Sequence, residues 1–164
     1  MTGKIDKYLL NRDLPLRTIG PENPAHPFHS EYLISTNGYV AERIWSEDIP
    51  QDVIKALTGL CRRHKTEQCG FITKAWEIVA VDNAHGEPTH NFYMDIKHGQ
   101  KELDRIYDEL HSDVLAVWHT HPNNWPWPTP RDICGWPDQS VVDWRYFVVN
   151  GSDVTEWRKV RADG

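Results

Sequence analysis

The sequence predicts one α/β (α+β) domain, a sandwich of helices on a mixed sheet. Helix-period and strand-like apolar runs alternate from about residue 50 onward. No internal repeat or coiled-coil heptad competes with that pattern. A chain of 164 residues is long enough to bury one sizeable core and carry an appendage.

The elements follow in order. Residues 1–29 read as a proline-rich N-terminal arm, because Pro15, Pro21, Pro24 and Pro27 prevent a helix and disrupt strand pairing. A docking arm and a tail without a role are equally compatible with this composition. Residues 30–45 read as a β-hairpin extension turning at Asn37-Gly38, since a type I′ turn needs two positive φ angles. The main domain then takes residues 46–164.

Within it, residues 50–64 read as a helix, with Pro50 in the first turn and Val53, Leu57 and Leu60 on one stripe. "CGFIT" and "EIVAVDN" read as strands around a turn at Lys74-Ala75, and "NFYMDI" as a third strand. Residues 100–111 carry Leu103, Ile106, Tyr107 and Leu110 at helical spacing. "DVLAVWHTH", "WRYFVV" and "VTEWRKV" read as further strands, the last two joined by a turn at Asn150-Gly151-Ser152.

Composition excludes several classes. The net charge of -6 gives no support to a phosphate-backbone binder, so no nucleic-acid partner is expected. No apolar stretch approaches the roughly 18 residues of a membrane span. The first residues lack a signal-peptide core. The expectation is a soluble cytoplasmic protein, in the host cytoplasm for a phage-encoded chain. The 3 cysteines, Cys61, Cys69 and Cys134, are irregularly spaced, which argues against a disulfide framework and an all-cysteine zinc site. The 8 tryptophans are more simply core cover than groove lining.

The chemistry concentrates in "VWHTHPNNWPWPTPRDICGWP", Val117 to Pro137. His119 and His121 sit at i and i+2 on a strand, so both imidazoles face one side and can reach one ion. A lone His-x-His is also an ordinary strand end. Thr129-Pro130-Arg131-Asp132 has the form of a capping box with proline at the first helical position. Capping and ligation are compatible, and a short helix there would hold Asp132 beside the histidines. Two histidines and a carboxylate are a common catalytic zinc set. A hydrolytic site needs a base as well. Glu67, read by itself, is a solvated loop glutamate.

Taken together these residues resemble the JAMM (MPN+/JAB) metalloprotease family. His119-Thr120-His121-Pro122 with Thr129 and Asp132 fits H-x-H-x7-S-x2-D, with threonine at the serine position, and Glu67-Gln68-Cys69-Gly70 fits its upstream E-x-C-G. The similarity runs from about Ile49 to Val160 and is nearest the prokaryotic and phage branch, including the peptidase domain of lambdoid phage tail-assembly proteins. It implies a cytidine-deaminase-like mixed curved sheet with flanking helices. It implies that His119, His121 and Asp132 bind zinc, that Glu67 is the catalytic base, and that Thr129 helps to stabilise the oxyanion. The implied substrate is a protein or peptide, such as a ubiquitin-like protein tail or a phage structural protein, cut at a peptide or isopeptide bond.

Trp125 and Trp127, in a stiff proline-flanked loop, either shape a groove for an extended peptide or tack the loop onto the core. Cys69 reads as a small buried strand-start residue rather than a nucleophile. His85, His90 and His98 receive no role. Two other functions compete. One is a non-catalytic MPN-type assembly module, against which the complete ligand set and glutamate argue. The other is a nucleobase deaminase, which would want a C-x-x-C pair that this chain lacks.

Overall fold

A computed structural model describes residues 33–36, 38–84, 94–137 and 142–161. One seven-stranded sheet runs through it in the order β1-β2-β7-β6-β5-β3-β4. The strands are β1 (Leu33–Thr36), β2 (Tyr39–Ile44), β3 (Cys69–Thr73), β4 (Ile78–Val81), β5 (Val114–Thr120), β6 (Arg145–Val149) and β7 (Val154–Arg161). The helices are α1 (Gln51–Arg63), α2 (Ile96–Asp108) and α3 (Pro130–Gly135). Among the described residues only β5 and β6 pair in parallel and the other strand pairs are antiparallel, so the sheet is mixed as expected.

The two faces of the sheet carry separate apolar layers. On one face α1 packs Val53, Leu57 and Cys61 against Ile72, Ala116, Trp118 and Phe147. On the other, Leu103 and Ile106 of α2 and Ile133 of α3 cover Phe71, Val117, Tyr146 and Trp157. Alternation along β5 therefore sends Ala116 and Trp118 toward α1, and Val117 and His119 toward α2 and α3.

Local chemistry explains several boundaries. Pro50 stands as the N-cap of α1, one position outside the helix. Asp95 caps α2 by accepting the His98 N–H at 2.8 Å. That cap starts the helix at Ile96, ahead of the expected residue 100, so Ile96, expected as the last residue of the strand "NFYMDI", is helical. Of that strand the described residues keep only the Asn83–Met94 bridge. Asn91 to Tyr93 lie outside the described residues, as do the N-terminal arm, Asn37, His85 and His90. Gly38 takes φ +80 at the hairpin turn, and β2 joins the hairpin to β7, so the extension lengthens the sheet.

Gly70 is required by close packing. A Cβ there would lie 2.0 Å from the Val79 carbonyl oxygen and 2.9 Å from the Trp118 ring. The glycine lets β4 and Trp118 close over the start of β3, and the Trp118 indole donates to Phe71 O at 3.0 Å. Among the described residues no helix is long and apolar enough to cross a membrane.

Candidate metal centre

Three elements converge at the C-terminal end of β5. The strand supplies His119, and His121 follows one residue past its end with its backbone N–H on Val149 O at 2.7 Å. α3 supplies Asp132. Glu67 comes from the segment that leads into β3, which pairs with β5 in the register Cys69↔His119. The ligand-capable atoms of Glu67, His119, His121 and Asp132 all lie within 4.8 Å of one another, and all four residues are buried.

The inner triangle is tight. Nε2 of His119 and Nε2 of His121 lie 3.0 Å apart, and each lies 3.1 Å from Asp132 Oδ2. Tetrahedral zinc with bonds of 2.0–2.2 Å places its ligand atoms about 3.3 Å apart. The triangle fits such an ion after opening by a few tenths of an ångström. His121 is also oriented for ligation. Its Nδ1 lies 2.8 Å from the Trp125 carbonyl oxygen, which can only accept, so Nδ1 carries a proton. Nε2 is then the nitrogen left to take a proton or a metal ion, the arrangement that outer-sphere carbonyls impose on metal-binding histidines.

The capping box and the cluster share an atom. Thr129 Oγ1 accepts the Asp132 N–H at 3.2 Å, and Asp132 Oδ2 accepts the Thr129 N–H at 2.8 Å. That same Oδ2 faces both imidazoles. Pro130 at the first helical position and the reciprocal cap hold this short helix, and with it the carboxylate. At the other end of α3, Lys159 donates to Trp136 O at 2.7 Å, the Tyr146 hydroxyl donates to Pro137 O, and the Trp136 ring stacks on Tyr146.

The electrostatics follow from burial in a common pocket. Burial pushes the Asp132 carboxyl up, but the two facing histidines outweigh it and hold Asp132 well below the ordinary carboxylate range. Burial lowers His119 below its usual value despite the Asp132 charge. His121 shifts the other way. Burial opposes its proton, yet Asp132, Glu67 and the Trp125 carbonyl together raise it. Glu67 departs furthest from the sequence expectation of a solvated glutamate. It is 5% exposed, and its Oε1 is buried without a hydrogen-bond partner. Burial and then the Asp132 charge push its carboxyl up to about 8, with His121 pulling against them. An unpartnered buried carboxyl oxygen is costly unless a ligand or ion completes it.

The surrounding residues divide clearly. Trp125 is 44% exposed, whereas Trp127 packs against the core, with the two rings edge to face at 4.6 Å. Of the two tryptophans, Trp127 is therefore the one that attaches the loop to the core, and Trp125 leaves much of its ring exposed. The loop is tied to the β6–β7 turn: Asn124 accepts the Gly151 N–H at 2.9 Å, and Thr155 donates to Pro126 O at 2.9 Å. Cys69 is buried, its thiol on Val81 O and pushed well up by burial, which fits a core residue and not a nucleophile. His98 stands on α2 between Asp82 and Glu102, outside the cluster.

Sequence reasoning passed over Thr120, Gln68 and Asn83. Thr120 is fully buried and exchanges bonds with Gln68, and Asn83 donates to the Glu67 carbonyl at 2.8 Å. The parity of Thr120, opposite to both histidines, was a readable signal that it faces away from the cluster. Its partner depends on the β3–β5 register.

Comparison with known proteins gives two findings. A family model described as prokaryotic homologs of the JAB domain matches residues 50–163. The solution structure of protein DSY2949 from Desulfitobacterium hafniense resembles this chain with a TM-score of 0.52 at 16% identity, over 70% of this chain and 84% of that one. At that identity the likeness concerns the fold alone. No curated protein matches the chain.

Proposed function

Because the chain belongs to the prokaryotic homologs of the JAB domain, we propose that it is a zinc-dependent peptidase or isopeptidase. Its substrate in this reading is a flexible protein tail, on a ubiquitin-like protein or on a phage structural protein. The observation that carries the reading is Glu67. Its buried Oε1, without a protein partner, lies in the same pocket as His119, His121 and Asp132.

His119, His121 and Asp132 would hold the zinc. Bound there, zinc supplies Lewis acidity and a water that ionises near neutral pH. Glu67 takes the proton of the attacking water and passes it to the leaving amine. Its place beside the three ligand residues, with Oε1 not bonded to the protein, suits a group that must take up a proton and release it. Thr129 Oγ1 accepts the Asp132 N–H, so its own hydrogen remains to donate to the oxygen that becomes negative in the tetrahedral intermediate. The half-exposed Trp125, whose carbonyl orients His121, offers an apolar wall for an extended peptide entering beside the site.

The test is a metal-replete preparation assayed on a quenched-fluorescent peptide library and on an isopeptide-linked ubiquitin conjugate. Cleavage of at least one substrate, abolished by chelation and restored by zinc, supports the reading. A zinc-loaded protein that cleaves neither directs the fold toward assembly without catalysis.

A further inference from the structure

We propose that Thr120 and Asn83 are positioning residues that aim Glu67 by gripping the peptide group between Glu67 and Gln68 at both ends. The inference rests on the hydrolase reading above and adds to it the two side chains that act through the base.

The two ends of that peptide group are Glu67 C=O and Gln68 N–H. The Asn83 amide donates to Glu67 O at 2.8 Å. The Gln68 N–H donates to Thr120 Oγ1 at 2.8 Å. The peptide unit is planar, so fixing both ends fixes the whole plane. The held plane anchors the Glu67 Cα and, with the chain arriving from α1, narrows ψ of Glu67 and so the directions open to its Cα–Cβ bond. A third bond, Thr120 N–H to Gln68 O at 2.9 Å, locks the following carbonyl as well.

Elsewhere the carboxyl has less to hold it. Glu67 Oε1 has no hydrogen-bond partner in the protein, although the residue is buried. No hydrogen bond holds Oε1, so the backbone bonds above contribute, with packing, to the aim of the side chain. The segment also precedes β3 instead of lying within it, so the β3–β5 ladder, which ends at Cys69↔His119, does not extend to Glu67. Thr120 has the opposite parity to its two histidine neighbours. One strand end thus supplies ligands from one face and a backbone clamp from the other. Asn83 reaches the clamp from just beyond β4, well separated in sequence from the metal-binding residues.

A misplacement of about 1 Å can cost on the order of a hundredfold in rate. Thr120→Val keeps the shape and removes the acceptor, and Asn83→Leu removes the donor. Each is expected to lower kcat ten- to a hundredfold on the quenched-fluorescent peptide that the wild type cleaves fastest, with KM and zinc content unchanged. Thr120→Ser restores the acceptor and should recover most of the rate. In the Glu67→Gln background, Thr120→Val should cost nothing further, because the group it aims is gone.

A second readout is independent of turnover. In the metal-free wild type the Gln68 amide should be protected from hydrogen exchange, and Thr120→Val should release it while neighbouring β5 amides stay protected. An unprotected Gln68 amide in the wild type overturns the clamp. So does a Thr120→Val rate equal to wild type, or a Thr120→Val loss that persists in full without Glu67. Failure of the hydrolase reading looks different: the zinc-loaded wild type cleaves nothing, and the catalytic role of the clamp falls with it.

Discussion

Replacing Glu67 by glutamine in the metal-free protein should change how stability depends on pH. The wild-type carboxyl is buried and pushed from 4.5 to about 8, by burial first and the Asp132 charge second. Between those values the folded chain keeps a proton that the unfolded chain has released. The folded state then binds more protons, so stability falls as pH rises through the window. At 1.36 kcal/mol per pH unit, a displacement from 4.5 to about 8 corresponds to on the order of 5 kcal/mol across the whole window. Glutamine has no such proton to lose. Urea unfolding of chelator-treated proteins between pH 5 and 8.5 reads the difference directly. The wild type should lose stability relative to Glu67→Gln with a limiting slope of about 1.4 kcal/mol per pH unit. Added zinc should flatten the slope, because a cation in the pocket favours the carboxylate. Parallel stability curves for the two metal-free proteins would refute the account of Glu67 as a buried carboxyl held protonated by its surroundings.

Three further outcomes follow from the geometry. Asp132→Asn keeps an oxygen for the Thr129 N–H but removes the charge that faces both imidazoles, so zinc affinity should fall at least tenfold in a competition titration with a chromophoric chelator. Thr129→Ala breaks the reciprocal cap and should cost about 1 kcal/mol in chemical denaturation, whereas Thr129→Ser should stay within a few tenths. Trp125→Ala removes a half-exposed ring, so stability should change by less than about 0.5 kcal/mol while KM for peptide substrates rises with kcat held.

Particular residues decide how much was legible in the sequence. The His119/His121 pair was readable because strand periodicity alone puts both rings on one face. The Thr129–Asp132 cap was readable because capping boxes are local, and α3 forms it as expected. Glu67 was not readable from its own neighbourhood. Lys65, Thr66 and Gln68 are polar company, and its carboxyl is buried beside His119, His121 and Asp132, residues distant in sequence that only the fold brings to it. Family resemblance supplied what local chemistry could not. At the end of "NFYMDI" the β-favouring composition hid a cap: the side chain of Asp95 bonds forward to His98, so Ile96 opens a helix, while Met94 still forms a β-bridge to Asn83. The tryptophans divided for a similar reason: exposure is a property of the packed loop, so identical residues two positions apart took different surroundings.

The proposed hydrolase function turns on Glu67 acting as a base beside His119, His121 and Asp132, and not on a bound metal alone. Wild type and Glu67→Gln loaded to equal zinc, then compared in single-turnover cleavage of the same peptide, test it most directly. The account predicts about one zinc per chain in both proteins, inferred from a three-ligand set, and a rate loss of at least a hundredfold in the variant. Equal rates at equal zinc would contradict it.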